Sequence, residues 1–279
     1  MTDPSMPPTC YRHPDRVTGL SCSRCGRPIC VEDSIDAPVG QICPECAKAG
    51  GTQRVVRARQ ITGRPTFQTA PVSFTIIAVT AAIWILGFVA PAVGDRLFQD
   101  LKMANSLVAA GEWWRIFTAA LLHAGITHIG FNMYALYLFG PRLEQQVGSP
   151  AFAAFYVAAA GAGGAASYAF GAPRQISIGA SGAIFGLLGA WMFVAWKMRN
   201  TAGGRRMFRE LFILLAINAA LPLLIPKIDW RAHAGGFLGG MLIAALWSRF
   251  AVGSRHAVAI RTAVAAVVAI VAVAVVLVI

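Results

Sequence analysis

The chain has 279 residues and a formal net charge of +12 at pH 7. Hydrophobic residues make up 57% of it, the mean hydropathy is +0.61, and charged residues make up only 13%, against about 25% in soluble proteins. So few charges cannot cover the surface of a water-soluble enzyme, and so hydrophobic a chain cannot be disordered. The composition therefore predicts a polytopic membrane protein.

All six cysteines lie ahead of the apolar part of the chain, and they form a regular pattern. Two Cys-x2-Cys pairs are separated by 17 residues, a spacing typical of a zinc site in which both pairs bind one ion. A Cys-x2-His pair precedes the first of them, and a Cys-x2-Asp pair lies between the two. This order resembles the cross-braced B-box type of zinc finger, in which the first and third pairs share one ion and the second and fourth share another. The resemblance implies one site formed by Cys10, His13, Cys30 and Asp33 and a second formed by Cys22, Cys25, Cys43 and Cys46.

Three disulfide bonds are the alternative use of six cysteines. A segment exposed to the reducing cytosol keeps its thiols reduced, so metal binding is favoured over disulfides. A fragment of about 40 residues has too small a core to fold without such a metal. We therefore expect structural rather than catalytic zinc, two ions in all, in a small cytoplasmic domain that binds a cytosolic protein partner.

The composition divides the chain into three parts. Residues 1–48 are predicted to form the zinc-binding domain, residues 49–70 a basic linker that ends at a membrane surface, and residues 71–279 the membrane domain. The first nine residues contain no apolar stretch, so no cleavable signal peptide is expected.

The membrane domain contains seven windows without a charged residue. A membrane-spanning helix needs about 20 predominantly apolar residues, so each window predicts one span. The apolar runs are continuous rather than alternating, which disfavours a β-barrel and predicts an all-α domain. The windows are Pro65 to Gly94, Ile116 to Pro141, Gln145 to Pro173, Gln175 to Trp196, Leu211 to Pro226, Ala232 to Ser248 and Thr262 to Ile279.

The Lys and Arg residues predict the orientation of these spans, since such residues gather on the cytoplasmic side. With the N-terminus in the cytoplasm, the inward segments hold 18 of them and the outward segments six. This predicts an integral, multi-pass protein of the bacterial plasma membrane, with the N-terminus cytoplasmic and the C-terminus outside. Because the basic residues flank a lipid bilayer, the net charge of +12 does not indicate nucleic acid as a partner.

Polar side chains within the spans are few, and each is costly in lipid, so each is a candidate for function. Ser181 opens the fourth span and His233 the sixth, each about five residues or roughly 7 Å below the outer surface. Gly-x3-Gly pairs follow both residues and allow two helices to approach closely. Such an approach brings a hydroxyl within hydrogen-bonding reach of an imidazole, as a nucleophile and its base require. Phe185 falls on the same helix face as Ser181 and is expected to stack on that imidazole.

Three motifs around these residues resemble the rhomboid family of intramembrane serine proteases. The resemblance extends from Pro71 to the C-terminus and implies a core of six transmembrane helices plus one C-terminal helix, the 6+1 form. Glu112-Trp113-Trp114-Arg115 resembles the family's first-loop Trp-Arg motif, and Glu144 with Gly148 resembles the end of its second span. The three motifs are Gly179-x-Ser181-Gly182, His123-x4-His128-x3-Asn132 and Ala232-His233-x2-Gly236-x3-Gly240.

The resemblance implies hydrolysis of peptide bonds in or near transmembrane segments of single-pass membrane-protein substrates. Ser181 would be the nucleophile and His233 the general base, without a carboxylate to orient the histidine. The backbone N–H of Ser181, with His128 and Asn132, would stabilise the oxyanion. This chemistry needs no metal or organic cofactor. Supporting roles fall to His123, Phe185, Gly179, Gly236, Gly240, Trp114, Arg115 and Glu144.

Three other functions fit parts of the sequence. A rhomboid-like protein without catalysis would bind transmembrane helices, but inactive members of that family lack the dyad, and Ser181 and His233 are both present. A transporter or proton channel would use the three span histidines, but no inverted repeat is evident, and Glu144, at a span end, is the one acidic candidate. An intramembrane metalloprotease is disfavoured because the sequence has no His-Glu-x2-His motif.

Overall fold

The computed structural model describes residues 7–36, 40–49, 65–225, 228–251 and 253–279. The chain forms two compact units, Met1–Gly63 and Arg64–Ile279, and each is described by itself. The predicted basic linker, residues 49–70, lies mostly outside the described residues, and so does the end of the fifth predicted span at Pro226. The predicted domain boundaries after residues 48 and 70 stay predictions.

The N-terminal unit has little regular structure and a very small apolar core. Cys22, Ile29 and Cys43 form its buried apolar cluster. Three buried side chains cannot hold a fold of this size together without additional cross-links. Its regular elements are a 3-10 turn (Val31–Asp33), two antiparallel strands, β1 (Ile35–Asp36) and β2 (Gln41–Ile42), and a short helix, α1 (Pro44–Ala49).

The second unit, Arg64–Ile279, hereafter the membrane unit, is helical, with one antiparallel ladder that pairs Met103–Ala104 with Ile176–Ser177. In chain order its elements are α2 (Pro71–Val89), α3 (Pro91–Leu101), β3 (Met103–Ala104), α4 (Asn105–Ala109), α5 (Arg115–Thr118), α6 (Ile126–Val147), α7 (Ser149–Phe170), β4 (Ile176–Ser177), α8 (Ser181–Lys197), α9 (Ala202–Leu224), α10 (Trp230–Phe250) and α11 (Ala257–Val278). Each predicted window overlaps one of the seven longer helices, α2 and α6 to α11. The predicted all-α class is therefore confirmed.

Within the described residues, fewer helices have the length and composition of a membrane span than the seven windows predicted. Helices α2, α9 and α11 are long and apolar enough to cross a membrane, and the bent segment that ends in α6 adds a fourth if it is one span. Helix α8 is apolar but shorter, with 17 residues. The seven-span count and the 6+1 arrangement stay predictions.

The second predicted span differs from the structure at both ends. The chain bends by 100° between Arg115–Leu121 and α6, so His123 lies in the connecting turn and not inside a straight span. Helix α6 then continues past Pro141 and Arg142, where the charge-free window ends. A charged residue indicates where the apolar, lipid-facing part of a helix ends. The helix itself can continue past that residue when the charged group is paired or exposed.

Helix α9 shows the same effect at its N-terminus. It begins at Ala202, well before the predicted start at Leu211, because the Thr201 hydroxyl accepts the Gly204 N–H and caps the helix. The arginines between these positions are exposed. Of the α9 residues, Gly204 and Leu211 are buried, so this helix lies at the edge of the unit.

Glu144 joins the ends of three helices at a completely buried position. Its carboxylate accepts the backbone N–H groups of Val72 (2.9 Å) and Ser73 (2.8 Å), which are orphan donors in the first turn of α2. It also accepts the hydroxyls of Ser73 and Ser149, both at 2.7 Å. The carboxylate therefore caps α2 and ties it to the junction of α6 and α7.

Replacing Glu144 with glutamine is expected to lower the stability of the membrane unit. The amide loses the negative charge at the α2 N-terminus and presents one acceptor oxygen where the carboxylate presents two, which costs about 1.5–3 kcal/mol per charged hydrogen bond lost. Thermal unfolding in detergent checks this. Glu210→Gln, which removes an exposed pair with Arg206, is the matched control and should change the unfolding temperature little. Equal unfolding temperatures for the two variants would contradict the capping role.

Candidate active site

Ser181 is the first residue of α8 and follows a tight turn. Gly179 has a φ of +123°, a conformation that favours glycine, and its N–H donates to the Ala119 carbonyl oxygen at 2.9 Å. A Cβ on Gly179 would lie 2.8 Å from Cε1 and Nε2 of His128 and 3.8 Å from Oγ of Ser181. Because Gly179 has no side chain, the His128 imidazole and the Ser181 hydroxyl can both lie close to it.

Helices α8 and α10 touch through their backbones. A Cβ on Gly236 would lie 1.9 Å from the Gly182 carbonyl oxygen, and one on Gly240 would lie 2.1 Å from the Gly186 carbonyl oxygen. No side chain fits at such distances, so the two Gly-x3-Gly pairs face each other and set the separation of the helices.

The contact between α8 and α10 brings side chains from the two helices together. The Phe185 ring stacks on the His233 imidazole, with centroids 4.1 Å apart and planes inclined by 9°. Phe185 lies one turn beyond Ser181 on the same face of α8. The stacked ring fixes the imidazole plane beside the turn that carries the candidate nucleophile.

Ser181 and His233 are both half-buried, and no hydrogen bond joins their side chains among the described residues. A small cavity of about 20 Å³ reaches Ser181, with room for about one water molecule. Hydrogen bonds between catalytic groups are often long in a free enzyme and shorten when substrate binds. The residues that line this cavity include Ile116, Ala119, Gly164, Ser177, Ser181 and Ala232.

Two of the three residues predicted to stabilise the oxyanion, His128 and Asn132, lie on α6. The His128 ring contacts the His123 ring edge to face, at 4.9 Å between centroids, and its Nδ1 accepts the Ala124 N–H at 3.4 Å. With Nδ1 as acceptor, Nε2 of His128 carries the proton and points toward Gly179. Asn132 is buried one turn further on, and its amide donates to the His128 carbonyl oxygen at 2.8 Å. One of its two N–H bonds is thereby used within its own helix.

His123 supports the turn before the candidate nucleophile. Its Nε2 accepts the Ala180 N–H at 3.4 Å, while its Nδ1 is buried without a hydrogen-bond partner among the described residues. This contact connects the bend before α6 to the start of α8.

Arg115 and Trp114, both predicted to have supporting roles, differ in their surroundings. The buried Arg115 guanidinium pairs with Glu112 and donates to the carbonyl oxygens of Gln99, Asp100 and Lys102 at 2.8–3.0 Å. These carbonyls are at the C-terminal end of α3, where a cation is stabilising. Trp114, in contrast, is 43% exposed and contacts the neighbouring Trp113 ring.

One polar network near the site was not predicted. The Asp229 carboxylate accepts the N–H groups of Arg231 and Ala232, which caps α10, and it also accepts the hydroxyl of the completely buried Ser167. Gln175 donates to the same hydroxyl at 3.4 Å and precedes β4, the strand that leads to Ser181. The network links the helix that carries His233 to the segment that carries Ser181. Asp229 directly precedes α10, and aspartate is a preferred residue at a helix N-cap, so the sequence alone could have indicated its capping role.

The N-terminal unit holds two groups of side chains that could bind metal. In each group the ligand atoms lie within 4.8 Å of one another, and the groups are those that the pattern of pairs predicted. The Sγ atoms of Cys25 and Cys43 are 3.8 Å apart, which matches the edge of a tetrahedron with bonds of about 2.3 Å from zinc to sulfur. The members are Cys22, Cys25, Cys43 and Cys46 in one group and Cys10, His13, Cys30 and Asp33 in the other.

The surroundings favour the charged, metal-binding form for some of these side chains but not for all: burial raises the pKa of the Cys30 thiol, and the neighbouring Cys43 thiol raises that of Cys46. Although burial opposes it, N–H donors from Cys43 and Cys25 lower the pKa of the Cys22 thiol to about 6, so it is a thiolate at neutral pH. Burial likewise opposes ionisation of Asp33, but hydrogen bonds from Cys10 and Cys30 lower its pKa. Two of the donors are thus prepared for a divalent cation.

Comparison with known proteins identifies the family of this chain. The family model of the Rhomboid domain matches residues 110–250, about half of the chain. The Bacillus subtilis protein named "Putative rhomboid protease YdcA" is 36% identical over 177 residues, which cover 63% of this chain and 88% of that protein. Rhomboid protease GluP of Bacillus subtilis is 36% identical over 184 residues, 64% of this chain and 36% of that protein. RHOMBOID-like protein 6, mitochondrial, of Arabidopsis thaliana is 39% identical over 145 residues, 50% of this chain and 45% of that protein. The chain belongs to the rhomboid family of integral membrane proteins.

Proposed function

We propose that this chain is an intramembrane serine protease that hydrolyses peptide bonds in or near transmembrane segments of single-pass membrane proteins. The observation that carries the proposal is the backbone contact of α8 with α10, which seats the Phe185 ring against the His233 imidazole one turn from Ser181. A hydroxyl and an imidazole on touching helices supply a nucleophile and a base. Family membership supports the same reaction, since both Bacillus relatives are named as proteases.

In this mechanism His233 accepts the proton of the Ser181 hydroxyl while Oγ attacks the substrate carbonyl carbon. The protonated imidazole then donates that proton to the leaving amide nitrogen, and the C–N bond breaks. Water, deprotonated by His233, then attacks the acyl carbon, the bond from that carbon to Oγ breaks, and His233 returns the proton to the Ser181 Oγ. Stacking against Phe185 fixes the plane of the imidazole, a role that a carboxylate fills in the Ser-His-Asp triad.

The negative oxygen of the tetrahedral intermediate needs hydrogen-bond donors. The Ser181 N–H lies in the first turn of α8, where a helix leaves its N–H groups free and stabilises negative charge. Nε2 of His128, beside Gly179, and the second amide N–H of Asn132 are the further donors that we propose. Loss of one such donor costs about 10²- to 10³-fold in kcat.

The purified protein in liposomes tests the proposal, with a fluorogenic reporter that carries the transmembrane segment of a single-pass membrane protein. We expect cleavage within or beside that segment. Binding of a panel of such reporters without any product would instead indicate a helix-binding protein without catalysis, and would contradict the proposal.

For the N-terminal unit we propose two structural zinc ions, one in each four-residue group. Zinc would cross-link a fold whose apolar core has three buried residues, and it takes no part in peptide hydrolysis. We expect about two equivalents of zinc by elemental analysis of the purified chain and about one after Asp33→Ala. Asp15→Ala, at an exposed carboxylate of the same unit, is the control and should keep both ions.

One equivalent of zinc in the unaltered chain would remove the Asp33 site from the account. Chelation should leave reporter cleavage intact. Loss of cleavage on chelation, with the membrane unit still folded, would contradict the assignment of a metal-independent reaction.

We further propose that the N-terminus is cytoplasmic, the C-terminus lies outside and the zinc-binding unit binds a cytosolic protein. The distribution of Lys and Arg supports this orientation. The candidate nucleophile, at the opposite end of α8 from Lys197, would then be reached by water from outside.

A further inference from the structure

A second crevice lies in the membrane unit, away from the candidate active site. It is formed by α8, α9 and α10 and has a volume of about 390 Å³, within the range of small-molecule sites. Its nearest α8 residue, Met192, is about 16 Å along the helix from Ser181, so the crevice is separate from the catalytic groups. Its lining is entirely apolar and consists of Met192, Phe193, Trp196, Phe208, Phe212, Leu215, Phe237 and Met241.

Basic residues surround the mouth of this crevice at the α8–α9 connection. The Arg199 guanidinium lies over the Trp196 ring, 4.5 Å from its centroid, so a cation sits directly on a lining residue. Arg205 and Arg209 precede the lining residues Phe208 and Phe212 by three positions and therefore lie on the same face of α9. Cations thus flank the crevice from the α8–α9 connection and from α9.

The charge at this mouth is unbalanced. Residues 197–210 contain five Lys and Arg residues and one carboxylate, Glu210, which pairs with Arg206 at 2.8 Å. The remaining cations, Lys197, Arg199, Arg205 and Arg209, are exposed and form no ion pair among the described residues. An apolar slot that ends in exposed cations is complementary to a molecule with an acyl chain and a negatively charged head.

We propose that this crevice binds an anionic phospholipid, with one acyl chain between α8, α9 and α10 and the phosphate at Arg199 and Arg205. Basic pockets between transmembrane helices are typical sites for anionic head groups. The lipid chain would also cover α9, which has two buried residues along its whole length. A neutral phospholipid has the same acyl chains but no net negative charge for these arginines to attract.

Photolabelling tests this proposal on the purified full-length chain in nanodiscs. The probe is phosphatidylglycerol with a diazirine near the middle of one acyl chain. We expect the label on the α8, α9 and α10 residues that line the crevice, with competition by unlabelled phosphatidylglycerol but not by phosphatidylcholine. The double variant Arg199→Gln, Arg205→Gln should weaken that competition by roughly tenfold or more.

The matched control is Arg249→Gln, Arg255→Gln, which removes the same charge from exposed positions in the last turn of α10 and on the α10–α11 connection and should leave labelling unchanged. Leu215→Trp fills the crevice from the lipid-exposed helix, so it should reduce labelling while the cations remain. Equal competition by phosphatidylcholine, label spread over all lipid-facing helices, or equal effects of the two arginine pairs would overturn the proposal.

Discussion

Ser181→Ala is expected to reduce cleavage of a transmembrane reporter by about 10⁴-fold or more, because acyl transfer loses its nucleophile. The substitution removes one oxygen atom from a half-buried position at the start of α8, so the fold should remain intact. Single-turnover cleavage in liposomes measures the loss, and thermal unfolding confirms that the variant is folded.

His233→Ala should cause a loss of the same order, and the double variant should be no worse than either single one. Groups that act as a unit in this way are not additive, whereas two independent structural effects would multiply. Ser177→Ala, a hydroxyl that lines the same cavity, is the control and should retain most of the activity. Substantial cleavage by Ser181→Ala would remove the proposed mechanism.

Gly236→Ala is expected to abolish activity without touching any reacting group. Its Cβ would lie 1.9 Å from the Gly182 carbonyl oxygen and 2.7 Å from the carbonyl carbon, both of them backbone atoms that cannot move aside alone. Helix α10 must therefore shift away from α8, and His233 moves with it. Since a misplacement of about 1 Å costs on the order of 10²-fold in rate, the lost activity should reach that size or more.

Gly130→Ala is the matched control for this prediction. Gly130 lies on α6 between His128 and Asn132, and a Cβ there would meet nothing within 4 Å apart from the adjoining backbone of its own helix. The same chemical change should therefore leave activity near that of the unaltered chain, and helix propensity should raise stability slightly. Equal activity of the two variants would show that the α8–α10 contact does not position the dyad.

The residues of the candidate site were predictable because each has a type and spacing with a narrow meaning. Two Gly-x3-Gly pairs in apolar helices indicated close contact, and the structure contains that contact between Gly182 and Gly236. The paired Cys, His and Asp residues likewise indicated two metal-binding groups, and the same two groups form. Short-range spacing on a helix survives folding, so it can be interpreted without knowledge of the tertiary structure.

The bend before α6 was not predictable from hydropathy. Residues 116–141 are uniformly free of charge, so a hydropathy window treats them as one span, although the chain turns by 100° within it. The backbone is extended at Leu122, which follows the 3-10 turn Ala119–Leu121, and at Gly125, which precedes α6 and has a φ near 180°. These local conformations depend on tertiary contacts, among them the hydrogen bond of the Ala180 N–H to His123.

The contacts of Glu144 and Asp229 could not be predicted from the sequence, for a different reason. Each carboxylate caps a helix and also accepts a hydroxyl from a residue more than 60 positions away, namely Ser73 for Glu144 and Ser167 for Asp229. The capping position of Asp229 can be found locally, but the helix that Glu144 caps and the distant hydroxyl partner of each carboxylate cannot. The resemblance to rhomboids predicted a supporting role for Glu144, while the reason for that role came from the structure.

The most direct test of the account is the reaction of the purified protein with a fluorophosphonate probe, followed by mass spectrometry of the labelled peptide. The account predicts one adduct on Ser181, no adduct in Ser181→Ala, and strongly reduced labelling in His233→Ala because the base is missing. An unlabelled Ser181 in a preparation that cleaves the reporter, or equal labelling with and without His233, would contradict it.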